Sequence, residues 1–390
     1  MAILIGVDEA GYGPNYGPLV VAATAWRVAE KGSGFSVQRS GRESATAAGS
    51  AAKRAVASPP TANRPPDLYK LLRRAVARSP QDNPRRLAIA DSKALYKAGL
   101  GVRQLERGVL AAILACTPQP RVNGTLPANA RTWLARVVEL IAATAADPDG
   151  RRRELACHGD DEQSLPLECQ RDELCSLAAS LADAGQRNGV ALVAIRARLV
   201  FPGEFNALVD RFGSKGGALS HVTLALVRRV VDELRDAGGG DAGVAGGGDA
   251  PARTHLPTAH CPPPTFIFLD KHGGRNRYAA LLQHHFADSW IDPLVESRAV
   301  SRYAWTHREA PVEAAFRVDC EQLLPTALAS MTAKYHRELA MRAFNAWWAR
   351  HVPGLRPTCG YPGDAHRFKA DIAAAQRELE IEDRVLWRCR

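Results

Sequence analysis

Ile3-Leu4-Ile5-Gly6-Val7-Asp8-Glu9-Ala10-Gly11-Tyr12-Gly13-Pro14 is an apolar run that ends in two acids and a glycine-rich segment. The apolar residues predict a short buried strand, and Gly11, Gly13 and Pro14 predict a tight turn after it. Side chains alternate between the faces of a strand, so Asp8 and Glu9 cannot both enter the core. A strand with carboxylates at its rim can present them to a cation; the plainer alternative is a polar strand end before a turn. The glycines favour the first reading, because they let backbone N–H groups approach a ligand more closely than bulkier residues would.

Outward from this stretch, Pro18–Trp26 reads as a second strand that pairs with the first across the turn. Asp67–Arg78 has helical spacing at Leu68, Leu71, Leu72 and Val76. Ile89-Ala90-Asp91-Ser92-Lys93 is a short apolar lead into a polar turn, before a helix near Val102–Cys116. Helix Asp172–Ala184, strand Val190–Val200 and an amphipathic helix Leu219–Arg235 follow, then a strand Phe266–Asp270 that again ends in an acid. Helix Tyr278–Phe286, strand-like runs Pro293–Ser301 and Ala314–Val318, a long helix Pro325–His351 and a last helix from Ala365 to about Leu379 complete the series. Strands interleaved with helices predict an α/β fold with a mixed β-sheet.

Three stretches lack pattern and read as insertions, near 30–66, 117–171 (apart from a helix-like Ala130–Ala145) and 236–264. The last is a Gly/Pro linker, expected to be mobile and without a catalytic role.

Lys+Arg exceed Asp+Glu by 51 to 41, a net charge of +10, which favours an anionic partner such as nucleic acid. Only nine of those cations are Lys, and an arginine bias of this kind also follows from genome base composition. The eight Cys are scattered without a CxxC pair, which excludes a zinc ribbon and a thioredoxin-like site. The chain runs straight into its first strand without a basic leader, and no apolar run is long enough to span a bilayer. A cytoplasmic location, no membrane contact and a monomer are expected.

Asp8, Glu9, Asp270 and Asp319 each close an apolar, strand-like run. Such ends can converge on one edge of a sheet, where four carboxylates would repel unless divalent cations lay between them. Oxygen ligands suit Mg²⁺ or Mn²⁺ rather than zinc. Two such ions about 4 Å apart are a common device for attack of water on a phosphodiester. Unrelated strand-end acids are the alternative from spacing alone.

The chain resembles the type 2 ribonuclease H (ribonuclease HII) family. The resemblance rests on the Val7–Pro14 turn, Asp91-Ser92-Lys93, the strand ending at Asp270, Asp319 followed by Ala329-Ser330-Met331-Thr332-Ala333-Lys334, and Gly360-Tyr361-Pro362 with His366, in that order. It covers most of the chain outside the insertions. It implies an RNase H-like mixed β-sheet flanked by helices, in a single catalytic domain over 1–390 whose C-terminal helical part, 325–390, completes the substrate site. It also implies metal-dependent cleavage of RNA in RNA–DNA hybrids, or at ribonucleotides embedded in a DNA duplex, leaving 5′-phosphate ends. Asp8, Glu9, Asp270 and Asp319 would be the catalytic metal ligands. Gly11 and Gly13 would read the ribose 2′-OH through the backbone, Tyr361 would pack on the sugar, and Ser330 and Lys334 would face the nucleic-acid backbone.

Two features depart from the family pattern. Tyr12 stands where the usual Gly-Arg-Gly turn has an arginine, and a phenol lacks the charged fork that grips phosphate. Asp270 and Asp319 are also separated by more chain than is usual, so Glu321, two residues on, competes for the fourth position. An RNase H-fold DNA nuclease and a catalytically silent nucleic-acid-binding module are the competing functions.

Overall fold

A computed structural model describes residues 1–29, 65–97, 101–116, 139, 141–145, 155–158, 165–238 and 262–388. The expected insertions lie largely outside these residues, as does most of the predicted helix Ala130–Ala145. Seven strands form one mixed sheet: β1 (Ala2–Ala10), β2 (Leu19–Val28), β5 (Val190–Val200), β6 (Thr265–Asp270), β7 (Asp292–Glu296), β8 (Val300–His307) and β9 (Ala310–Arg317), in spatial order β5-β2-β1-β6-β9-β8-β7. The numbers β3 and β4 belong to a separate parallel pair, Val76–Ala77 with Leu87–Ala88.

β1 pairs antiparallel with β2 and parallel with β6, and β6 pairs parallel with β9. The three parallel strands therefore end on the same edge. Residues 2–7 of β1 are all buried because both faces of the sheet are covered, which is why the strand reads as a continuous apolar run rather than an alternating one. On one face Leu4, Trp26 and Phe268 pack with the first long helices, α3 (Arg103–Cys116) and α4 (Arg171–Asn188). The shorter α1 (Leu68–Leu71) and α2 (Ser92–Leu95) precede them in the chain. On the other face Ile5, Val7, Ile267 and Leu269 pack with α6 (Lys215–Gly238) and α7 (Ala279–His285), which follow α5 (Pro202–Phe212).

The long helix α8 (Leu324–His351) crosses β1 and β2, and its first half is buried almost all round. Thr24, inside β2, donates its hydroxyl to the Pro325 carbonyl at 2.8 Å. Gly6 makes the approach possible: a Cβ there would lie 2.1 Å from the Thr326 amide nitrogen and 2.2 Å from the Pro325 carbonyl carbon. Those are backbone atoms at a pinned helix start and cannot rotate aside. Gly6→Ala is expected to cost about 2–3 kcal/mol, the upper part of the overpacking range, read from urea unfolding midpoints. Gly13→Ala, with nothing within 4 Å of the new Cβ, should stay within about 0.5 kcal/mol of the parent. Equal effects would show that the helix start moves away.

The sequence reading departs from the fold in two regions. The predicted helix Asp67–Arg78 is only Leu68–Leu71, because the chain turns at Leu72 and Val76–Ala77 pairs with Leu87–Ala88. Its leucine spacing reflects burial on a compact turn rather than a helix stripe. The run Pro293–Ser301 splits into β7 and the start of β8; β8 alternates in burial, but its buried positions include Ser301 and His307, so its sequence lacks a regular apolar alternation. The C-terminal helices α9 (Pro362–Glu378) and α10 (Asp383–Leu386) pack Phe368, Ile372 and Leu386 with Phe344 and Trp348 of α8 around Tyr16 of the glycine turn.

Candidate active site

The register of the sheet brings the first acids together. Val7 stands opposite Leu269 in the parallel β1–β6 pair, so Asp8 and Asp270 lie one step further along on adjacent strands. Both reach the edge where the parallel strands end, with Glu9 next to them. Asp8, Glu9 and Asp270 line one cleft of about 430 Å³ together with Gly11, Tyr12, Ser92, Lys93, Tyr96, Ser330, Lys334 and Tyr361.

The opposite wall is built by the short helix α2 and the second and third turns of α8. Asp91 caps α2 by accepting the Lys93 N–H at 3.1 Å, which sets Lys93 at the helix's first turn. Ser330 of α8 accepts the Ser92 N–H at 3.3 Å and donates to the Ser92 hydroxyl at 3.1 Å, joining the two helices. One turn later Lys334 pairs with Glu338 and lies 4.4 Å from the centre of the Tyr96 ring. Lys334 thus lines the cleft as expected, with its charge already shared. Tyr12 and Tyr361, 38% and 48% exposed, form an aromatic rim.

Burial raises the Asp8 carboxyl well above the usual carboxylate range, and Glu9 beside it adds repulsion. Burial, then Asp270, lifts Glu9 to about 7. Asp270 is raised by burial and next by Glu321. Lys93 is raised chiefly by Asp91, then by Asp8, Glu321 and Asp270. Buried carboxylates that repel one another are costly unless positive charge is supplied. An all-oxygen set of this kind fits a hard divalent cation, so the residues present suit Mg²⁺ or Mn²⁺.

Asp319 is not brought to the cleft. It is exposed, takes a left-handed backbone (φ 57°) and begins the 3₁₀ turn Cys320–Gln322. That turn folds back on Asp270: the Cys320 N–H hydrogen-bonds to the Asp270 carboxylate, and Glu321 is the acid whose charge Asp270 and Lys93 feel.

The glycine turn itself is held from beneath by two buried arginines that the sequence reading missed. Arg388 donates from Nη1 to the Gly11 carbonyl (2.5 Å) and from Nε to the Gly17 carbonyl (3.0 Å). Arg337 donates to the Pro18 carbonyl (2.8 Å) and to the Cys359 carbonyl (3.0 Å), tying the turn to the Gly360–Tyr361 segment, where Asn15 N–H also bonds the Gly360 carbonyl (2.7 Å). Gly11 (φ 81°) lies so close to this support that a Cβ would meet the Arg337 Cδ and the Pro18 carbonyl oxygen at 2.7 Å each. Because a trans peptide points its C=O and N–H in opposite directions, the bond to Arg388 turns the Tyr12 N–H away from the protein interior. Gly13 faces open space. Arginine is so common in this chain that neither residue stood out; Ser92 and Lys93 belong to the Asp91-Ser92-Lys93 motif without an assigned role, and Tyr96, three residues beyond it, carries no signal of its own.

No known protein family matches the sequence, and no curated protein does. Among solved structures, the chain is similar to the ribonuclease H2 from Pyrococcus horikoshii OT3, at 14% identity over 98% of this chain and 92% of that one, with a TM-score of 0.39. It is also similar to the PCNA:RNase HII complex from Archaeoglobus fulgidus, at 12% identity over 100% of this chain and 94% of that one, with a TM-score of 0.34. Likenesses this remote carry no argument about chemistry.

Proposed function

We propose that this chain is a metal-dependent endonuclease that cleaves the RNA strand of RNA–DNA hybrids, or the phosphodiester at a ribonucleotide within duplex DNA. The observation that carries the reading is the convergence of Asp8, Glu9 and Asp270 in one cleft walled by Lys93, Lys334, Ser330 and two exposed tyrosines. The family resemblance of the motifs that supply those residues supports the same chemistry.

In this reading Asp8, Glu9 and Asp270 hold Mg²⁺ or Mn²⁺, with Glu321 as the fourth carboxylate. Such ions, when bound, supply a nucleophilic hydroxide and neutralise charge that builds on the phosphate. Lys93 offsets the remaining negative charge of the cluster. The fixed turn at Gly11–Gly13 meets the ribose 2′-OH through the backbone, and Tyr361 packs on the sugar. Lys334 reaches a phosphate by sharing or leaving Glu338.

Incubation of the protein with a labelled RNA–DNA hybrid and with the matching DNA duplex, in Mg²⁺ or Mn²⁺, tests the proposal. Cleavage of the hybrid alone is expected, with 5′-phosphate ends. Cleavage of DNA would make the chain a DNA nuclease, and tight binding without cleavage of either would make it a binding module.

Tyr12 at the rim predicts one phosphate contact fewer than an arginine would give. Tyr12→Arg is expected to tighten hybrid binding by about 1.5–3 kcal/mol, the range for a hydrogen bond to a charged group. The log–log salt slope should steepen by about one. Titrations of labelled hybrid at several salt concentrations read both quantities, and an unchanged slope in a folded variant would remove Tyr12 from the substrate path.

A further inference from the structure

We propose that His221, His284 and His285 form a second metal site, for a borderline transition ion such as Zn²⁺ or Co²⁺, separate from the carboxylate cleft. One ring nitrogen from each of the three lies within 4.8 Å of the others. His221 Nδ1 and His285 Nε2 are already 3.1 Å apart. Zinc–imidazole bonds of about 2.0–2.1 Å in a tetrahedron put ligand nitrogens about 3.3–3.4 Å apart. The observed spacings bracket that value, so small ring rotations close the site.

One of the three rings is preset by stacking, and the backbone of a second is anchored. His221 stacks on Phe212, with ring centres 3.6 Å apart and planes 11° from parallel. His285 ends α7, and its carbonyl accepts a hydrogen bond from Arg228 Nη1 at 2.9 Å. Arg228 is itself paired with Asp232 at 2.7 Å and Asp288 at 3.2 Å, which offsets part of its charge beside the imidazoles. His284 is exposed and free to swing in. Three imidazoles leave the fourth tetrahedral position to water.

Nitrogen ligands select zinc-like ions over Mg²⁺, which distinguishes this site chemically from the cleft. None of the three histidines lines the cleft. The neighbouring Ser220 hydroxyl, however, meets His272 Nδ1 at 3.0 Å, two residues past Asp270. An ion here would therefore brace α6 against α7 behind the Asp270 wall.

The test is a Co²⁺ titration of the full-length chain carrying Asp8→Asn and Asp270→Asn, followed by the visible absorption of four-coordinate Co²⁺. One equivalent is expected to give the bands, Zn²⁺ is expected to displace it, and adding His284→Gln should abolish it. Zn²⁺ should raise the unfolding temperature of the parent and not of the His284→Gln variant, whose exposed position leaves the fold intact by circular dichroism. Should the double cleft variant fold poorly, the same comparison in the wild-type chain saturated with Mg²⁺ gives the answer. No absorption in the parent, or an unchanged spectrum in His284→Gln, would overturn the proposal and leave the His221–His285 contact as a hydrogen bond alone.

Discussion

Asp8→Asn should lower hybrid-cleaving turnover by on the order of 10³-fold while substrate affinity stays close to wild type. Asparagine keeps the size of the side chain and one oxygen, but loses the negative charge that would hold a divalent cation. Loss of several kcal/mol of charge stabilisation in the transition state corresponds to about that factor. Affinity should persist because the turn held by Arg337 and Arg388, and the rim at Tyr12 and Tyr361, are untouched. Stability should move the other way in metal-free solution, since Asp8 is raised by burial first and then by the Glu9 charge. A carboxyl whose folded-state value is raised binds its proton more tightly in the native state, so stability falls as pH rises through the window between the unfolded and folded values. For Glu9 that window runs from 4.5 to about 7. The metal-free wild type should lose stability across it and recover some on addition of Mg²⁺, and Asp8→Asn should show a shallower decline. Single-turnover kinetics, with thermal melts from pH 4 to 8, check both halves. Near-normal turnover of Asp8→Asn in Mg²⁺ would sink the assignment of the cleft as a metal site.

Much of the sheet was legible because its strands carry strong local signals. β1, β2, β5 and β6 are apolar runs closed by glycine, proline or acids, and Val190–Val200 is read at the observed bounds. At the edge of the sheet the run Pro293–Ser301 covers most of β7 but only the first two residues of β8, whose remaining residues alternate in burial and form no continuous apolar run. The acids at strand ends were readable one at a time. That Asp8 and Asp270 become neighbours follows from parallel pairing of β1 with β6, a long-range register that local periodicity does not contain. The support beneath the glycine turn was beyond reach for the same reason: Arg388 lies 377 residues from Gly11. Lys93 was within reach, since the cap by Asp91 is a local motif, but its role needs the acids that only the fold brings to it.

The fourth acid is where sequence order and geometry part. Asp319 closes the strand-like run that ends at Val318, and on that ground it is the expected ligand. The strand, however, stops at Arg317, which pairs with Asp270, and the chain then leaves the sheet. Asp319 spends its position on a left-handed turn, a conformation that Asp tolerates better than most residues. The following N–H, of Cys320, is committed to the Asp270 carboxylate, and buried Cys320 fixes the turn against the core. The next side chain, Glu321, then falls within the field of Asp270 and Lys93, whereas Asp319 projects outward. Glutamate's extra methylene suits an anchor set back from the cluster. At saturating Mg²⁺, Glu321→Gln is therefore expected to lower turnover on the order of 10²–10³-fold, beyond the 10–100-fold usual for an outer-shell partner. Asp319→Asn should stay within a few-fold of wild type, about the effect of an exposed polar change. Metal titrations separate the two further: the midpoint for activation should rise in Glu321→Gln and stay put in Asp319→Asn. If Asp319→Asn is the inactive variant and Glu321→Gln the normal one, then the turn rearranges when metal binds and the strand-end register is the correct guide.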